Sequence, residues 1–209
     1  MSTTFDVYPR TRELPTFAAL IERSSKELHS FLDSVGIRER PPIHVRLQRR
    51  EGDSHVPFSL GEPARWSEDL YAWFMVGKVP GGTDAYFDND AGQIKKLWDG
   101  EFDDPKCKRL EPLIRECVTV GHRWWFRRSA GQPAIINLAY GLIAGSLAAI
   151  TGGFVYSSDS AWDWERMPAR PQEFLSWYFR PEQAIQENFR EWSKRCLDAL
   201  GSELHVHSE

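Results

Sequence analysis

The residues in this chain whose types and spacing could do chemistry are a few clustered carboxylates and one histidine. Asp159, Asp163 and Glu165 fall within one short loop, where they could bind a divalent metal or divide acid and base work between two carboxyls. His122, set in a run of apolar residues, would be the general base that joins Asp159 and Asp163 in a small metal-assisted hydrolase. The plainer reading is that such loop carboxylates are solvated or cap a helix, and that a histidine on an apolar face is a hydrogen-bonded core residue. Asp88, Asn89 and Asp90 imitate the start of a calcium loop, but Gly92 stands one place early and no glutamate occupies the twelfth position. His205 and His207, two apart on a tail expected to be loose, offer poor metal geometry. No phosphate-binding loop, dinucleotide fingerprint, zincin motif or nucleophile elbow occurs, so neither nucleotide hydrolysis nor serine chemistry has support.

Binding has better credentials than catalysis. Arg123, Trp125 and Arg127 alternate on what should be the outer face of a strand, near the basic stretch 46–50 if the two strands are neighbours. Arginine and tryptophan anchor interfaces because each brings large contact area or several directed bonds at modest entropy cost. The acidic stretch 84–104, with seven acids against Lys95 and Lys96, and the loop from Asp159 through Trp162 to Glu165 are the complementary candidates for a basic partner.

These residues must be held by a scaffold, and its centre is Ser129 to Ser158, thirty residues without a charge in a chain that is 27% charged. Apolar residues from Ile135 onward cover every side of a helix that Gly152 and Gly153 stop, followed at once by the strand Phe154 to Tyr156. Ala134 to Ile150 is long enough for a short membrane span, but Asn137, Tyr140 and Ser146 interrupt it, and an enclosed core helix explains more. Gly141 and Gly145 on one face let another backbone come near.

Around this post the periodicity predicts a strand over Thr4 to Tyr8 and an amphipathic helix from Phe17 to Val35, started at Pro15 and stopped by Gly36. A half-buried strand follows over Ile43 to Arg50, then Leu70 to Val76, apolar on both faces as a doubly covered central strand would be. The stretch 84–104 reads as a loop, with a short helix over Gln93 to Trp98. Cys117 to Arg128 reads as one long strand with Val118, Val120, His122, Trp124 and Phe126 inward. Two helices close the chain, Pro171 to Phe179 and Pro181 to Leu200, the second ended by Gly201. Together these predict one α+β domain over residues 1–209, a mainly antiparallel sheet flanked by helices.

Composition narrows the function classes. With 41% hydrophobic and 13% aromatic residues the chain can build a packed core, and nine tryptophans leave some for a surface. A net charge of −4 argues against sequence-independent nucleic-acid binding. Cys107, Cys117 and Cys196 are too far apart for a metal or redox pair and read as reduced thiols. The first residues show no basic, then apolar, leader, which predicts a cytoplasmic protein. No cofactor and no membrane association is expected.

The run Ala148-Ala149-Ile150-Thr151-Gly152-Gly153-Phe154-Val155-Tyr156-Ser157-Ser158-Asp159, with Ala161-Trp162, Pro171 and Phe174, resembles the helix, Gly-Gly, strand, acidic-loop arrangement of small bacterial immunity proteins. Val7-Tyr8-Pro9 and Leu14-Pro15 add to the likeness. Immunity proteins of that kind accompany polymorphic or type VI secreted toxins, some of them nucleases. The resemblance implies no catalytic residue, a cognate toxin as partner and neutralisation by covering the toxin's active site; it assigns no residue a role. The surface expected to serve is Asp88, Asp90, Arg123, Trp125, Arg127, Asp159, Trp162 and Asp163, and a homodimer or a subunit of a larger assembly is also compatible with exposed tryptophans.

Overall fold

The computed structural model describes residues 2–52 and 54–206. A single antiparallel sheet is the frame. In chain order its strands are β1 (Thr3–Tyr8), β2 (Ile43–Arg49), β3 (His55–Val56), β4 (Leu70–Val76), β5 (Thr83–Asp88), β6 (Arg123–Arg128) and β7 (Phe154–Tyr156). They lie in the order β3-β2-β4-β5-β6-β1-β7, every pair antiparallel. The described helices are α1 (Phe17–Ser34), α2 (Ala91–Leu97), α3 (Pro105–Lys108), α4 (Glu111–Val120), α5 (Ala134–Thr151), α6 (Pro171–Trp177) and α7 (Glu187–Val206). The expected α+β architecture is what the chain builds.

The inner face of the sheet carries Phe5, Val7, Ala72, Phe74, Ala85, Trp124 and Phe126, all fully buried under α1, α5, α6 and α7. Helix α1 forms as its spacing predicts: the Thr16 hydroxyl accepts from Ala19 N–H at 3.1 Å, and Phe17, Leu20, Ser24, Leu28, Phe31 and Leu32 make one buried stripe. Helix α5 is apolar and long enough to cross a membrane by length and composition, yet 89% of it is buried inside the protein. It touches α1, α6, α7 and strands of the inner face, which is why it needs no polar side. The small residues on it work as expected but meet side chains, not backbone. A Cβ at Gly141 would lie 2.2 Å from Tyr178, and one at Gly145 2.8 Å from Leu175 of α6. Gly153 does meet backbone: its Cβ would lie 1.9 Å from the Tyr8 carbonyl oxygen, so only glycine lets β7 start beside β1.

Four expectations are corrected. Cys117 to Arg128 is not one strand; α4 runs to Val120, Gly121 at φ +87° ends it in the left-handed conformation, and β6 begins at Arg123. Val118 therefore faces a second core with Leu113, Ile114 and Cys117. The stretch 84–104 is not a loop, because its first residues are β5 and the rest holds α2 and the start of the segment leading to α3. The last helix begins at Glu187, leaving Ile185 more than half exposed, and runs through Gly201 to Val206, so His205 is helical and His207 lies outside the described residues. Lastly, β4 is covered on one face only, which bears on function.

Candidate binding surface

The outer face of the sheet is divided. At its β1 and β7 end, Tyr8 and Phe154 are capped by α2 and α4 and sealed with Ile94, Trp98, Cys107, Leu110 and Leu113 into the second core. Toward β2 the covering stops. Tyr71, Trp73 and Met75 of β4, Tyr86 of β5 and Trp125 of β6 are half-buried, and His44 and Arg46 of β2 are exposed.

Strand register sets these side chains in rows. Residues directly opposite each other share a face, so Arg46, Trp73, Asp84, Arg127 and Thr4 line up across five strands. In the next row Gln48 pairs with Tyr71, and Tyr86 with Trp125 and then Asp6. Tyr86 and Trp125 stack with ring centroids 3.9 Å apart and planes 13° from parallel; Tyr71 lies 6.1 Å further on and at right angles to Trp73. Arg50 lies 4.6 Å from the centre of the Tyr86 ring and Arg127 5.9 Å. The strands of the basic stretch 46–50 and of Arg127 are not neighbours, because β4 and β5 stand between them, yet Arg50 and Arg127 both reach the Tyr86 ring.

The acids on this face are consumed internally. Asp84 is buried and accepts from Arg127 Nε at 2.8 Å and from the Tyr86 hydroxyl at 2.7 Å. Partial burial and then that bond to Asp84 push the Tyr86 phenol up to about 12. Asp88 and Asp6 share Arg123, at 3.2 and 2.6 Å, where the outer face passes under the helices. Burial outweighs the attraction of Arg123 and pushes Asp6 up to about 6. Asp90 is the N-cap of α2, accepting from Gly92 and Gln93. What remains toward solvent is partly exposed aromatic surface framed by Arg46, Arg50 and Arg127.

Of the other predicted residues, Asp159 sits at the β1 edge of this face, whereas Trp162 and Asp163 lie elsewhere. Asp159 accepts from the backbone N–H and hydroxyl of Thr4 at 2.9 and 2.8 Å. Asp163 is fully buried at φ +48° and accepts from Ile185 N–H at 3.1 Å, tying its loop to the segment before α7. Burial raises its pKa. Trp162, expected as an exposed anchor, is buried and stacked on Phe179. Of nine tryptophans, Trp73, Trp125, Trp164 and Trp192 are half-buried and the rest buried.

The acid, base and metal reading finds no assembled site. Thr4, which Asp159 holds, pairs with Arg127 near one end of β6, whereas His122 precedes the other end, roughly 16 Å away at strand spacing. No group of three His, Cys, Asp or Glu able to hold a metal occurs among the described residues. His122 packs against Phe87 and Trp124 beside a 590 Å³ cleft lined by Arg12 and Arg65, and burial followed by the charge of Arg12 lowers its pKa. All three cysteines are buried and free.

Compared with known proteins, the chain matches no family model, no curated protein and no solved structure. The functional reading therefore rests on the geometry of this face.

Two features of the surface were missed from the sequence: the strand β5, which contributes Tyr86 and Asp84, and the bareness of β4. The first had a signal, the alternation of Ala85 and Phe87 with Asp84, Tyr86 and Asp88, hidden by the acidic setting. The second had none, because a strand apolar on both faces reads the same whether a helix or a partner covers its outer side.

Proposed function

We propose that this chain is a cytoplasmic immunity protein, a binding protein with no chemistry of its own, that holds a secreted toxin on the open outer face of β2, β4, β5 and β6 and so covers the toxin's active site. One observation carries the reading: a cluster of four aromatic side chains, in contact with one another and framed by arginines, left half-exposed on a sheet whose inner face and β1–β7 end are covered. Such a patch has an apolar centre with a charged rim, the anatomy of a protein interface. A net charge of −4 gives little support to sequence-independent nucleic-acid binding on the same face. Of the carboxylates expected to meet a basic toxin cleft, Asp84, Asp88, Asp90, Asp159 and Asp163 are paired or capping, so the complementary toxin surface is one with an apolar centre and carboxylates at its rim.

The test is co-expression with the toxic C-terminal domain of a secreted protein encoded beside this gene. Wild type restores growth, and Trp125→Ala with Tyr86→Ala abolishes rescue while circular dichroism and the melting temperature show a folded chain. Rescue unaffected by both substitutions would move the interface elsewhere; no such neighbour and no rescue would remove the immunity reading. Self-association through the same face, seen as a dimer by sedimentation and broken by the double substitution, would assign the surface to a second copy.

A further inference from the structure

On the inner side of β6, opposite Trp125 and Arg127, lies a small cavity of 280 Å³ between β6, α5, α7 and the loop after β7. Its walls are the rings of Tyr140, Trp162, Phe189 and Trp192, and Arg128 lies among them. Arg128 is half-buried, 5.0 Å from the centre of the Trp192 ring and 5.8 Å from that of Tyr140. Its bonds go to neutral acceptors: Asn137 Oδ1 at 2.9 Å from one terminal nitrogen, and Thr3 Oγ1 at 3.3 Å from Nε and from the other terminal nitrogen.

Among the described residues that guanidinium has no counter-ion. Arg123 is paired with Asp6 and Asp88, and Arg127 with Asp84, but no carboxylate lies within ion-pair distance of Arg128 among the described residues. A half-buried charge is ordinarily paired, because desolvation without a partner is costly. Three of its five N–H groups are used, which leaves one on each terminal nitrogen. Trp162 is 2% exposed, and its buried Nε1–H has no acceptor. Unsatisfied buried donors are uncommon, and here a cation with two spare N–H groups and a ring with an unpartnered N–H line one aromatic cavity.

We propose that this cavity binds a small organic carboxylate, its two oxygens on Arg128 and its apolar body between Trp162, Phe189 and Trp192. The planar fork of one guanidinium matches a carboxylate, whereas a phosphate dianion asks for more positive charge than a single arginine supplies. Aromatic walls favour a flat or short apolar body over a fully polar one. The site faces away from the open sheet surface, so it stands whether or not that surface holds a toxin.

The probe is benzoate, titrated calorimetrically and by tryptophan fluorescence against the full chain, with acetate and inorganic phosphate as comparisons. Saturable benzoate binding is expected, weaker for acetate and absent for phosphate. Arg128→Lys, which keeps the charge and loses the fork, should weaken it at least tenfold. Because Arg128 variants could disturb β6, Trp192→Leu on the half-exposed wall serves as the second variant and should weaken benzoate while leaving acetate nearly unchanged. No benzoate binding, binding that is indifferent to both variants, or phosphate bound more tightly than benzoate would each overturn the assignment.

Discussion

The two ends of the sheet's outer face carry the same kind of residue and treat it differently. Near β7, Tyr8, Phe154 and Trp98 pack edge and face against one another under α2 and α4 and disappear from solvent. Near β2, Tyr86 and Trp125 stack at 3.9 Å, Tyr71 meets Tyr86 and Trp73 more loosely at 6.1 and 6.4 Å, and all four stay half-exposed. Aromatic content therefore does not separate core from binding surface in this molecule; the presence of a covering helix does. At the covered end the rings stabilise the fold, and at the open end the same area is available to a partner.

The boundary between the ends is the place to break the comparison hardest. Arg123 there balances two carboxylates, Asp6 and Asp88, and its side chain is only 15% exposed. Arg123→Ala leaves both acids without their cation and should cost about 3–5 kcal/mol in urea unfolding. Trp98→Ala, in the covered end, should cost a similar ~3–5 kcal/mol through the cavity it opens. If the covered end were not a true core, the Trp98 substitution would cost no more than a surface change.

Asp6 gives the boundary a pH dependence of definite sign. Its carboxyl is raised from 3.8 to about 6 by burial, so the folded chain holds that proton more tightly than the unfolded one. A carboxyl raised in this way contributes stability that is fully present below pH 3.8 and lost as pH rises through about 6. The span corresponds to roughly 3 kcal/mol. Asp6→Asn removes the titration, so wild type should gain stability relative to that variant between pH 7 and pH 4 in parallel urea melts. A difference constant across the range would show that Arg123 holds Asp6 ionised throughout.

How much of this was legible follows from what leaves a periodic trace. Helix α1 and the enclosed α5 announce themselves because burial on one stripe, or on all sides, is written directly into apolar spacing. The last turn of α4, from Cys117, reads as strand because Val118 and Val120 alternate with polar residues in line with β6, although Leu110, Leu113, Ile114 and Cys117 repeat at helical spacing and Gly121 marks the break. Trp125 and Arg127 were recognisable as outward residues from alternation alone. The carboxylates were not placeable: whether Asp84 or Asp163 is solvated or buried depends on partners far along the chain, Arg127 and Ile185, that local pattern does not reveal.

The open end should show the smallest cost to the fold and the largest separation of fold from binding. Trp125→Ala loses a stacked pair and partial burial, about 1 kcal/mol of stability, while it should cost a bound partner 2 kcal/mol or more if Trp125 is a central anchor. Arg46→Ala and Arg50→Ala should lie within about 0.5 kcal/mol of wild type in unfolding, because both side chains are exposed and neither holds a buried acid. Their effect belongs to the encounter. Rim charges steer association, so both variants should slow partner capture at low salt and converge with wild type as ionic strength rises, measured by stopped-flow tryptophan fluorescence. Salt-independent differences would mean that the arginines act by packing on Tyr86 and not by their field, and the open end would then be closer in kind to the covered one than its exposure indicates.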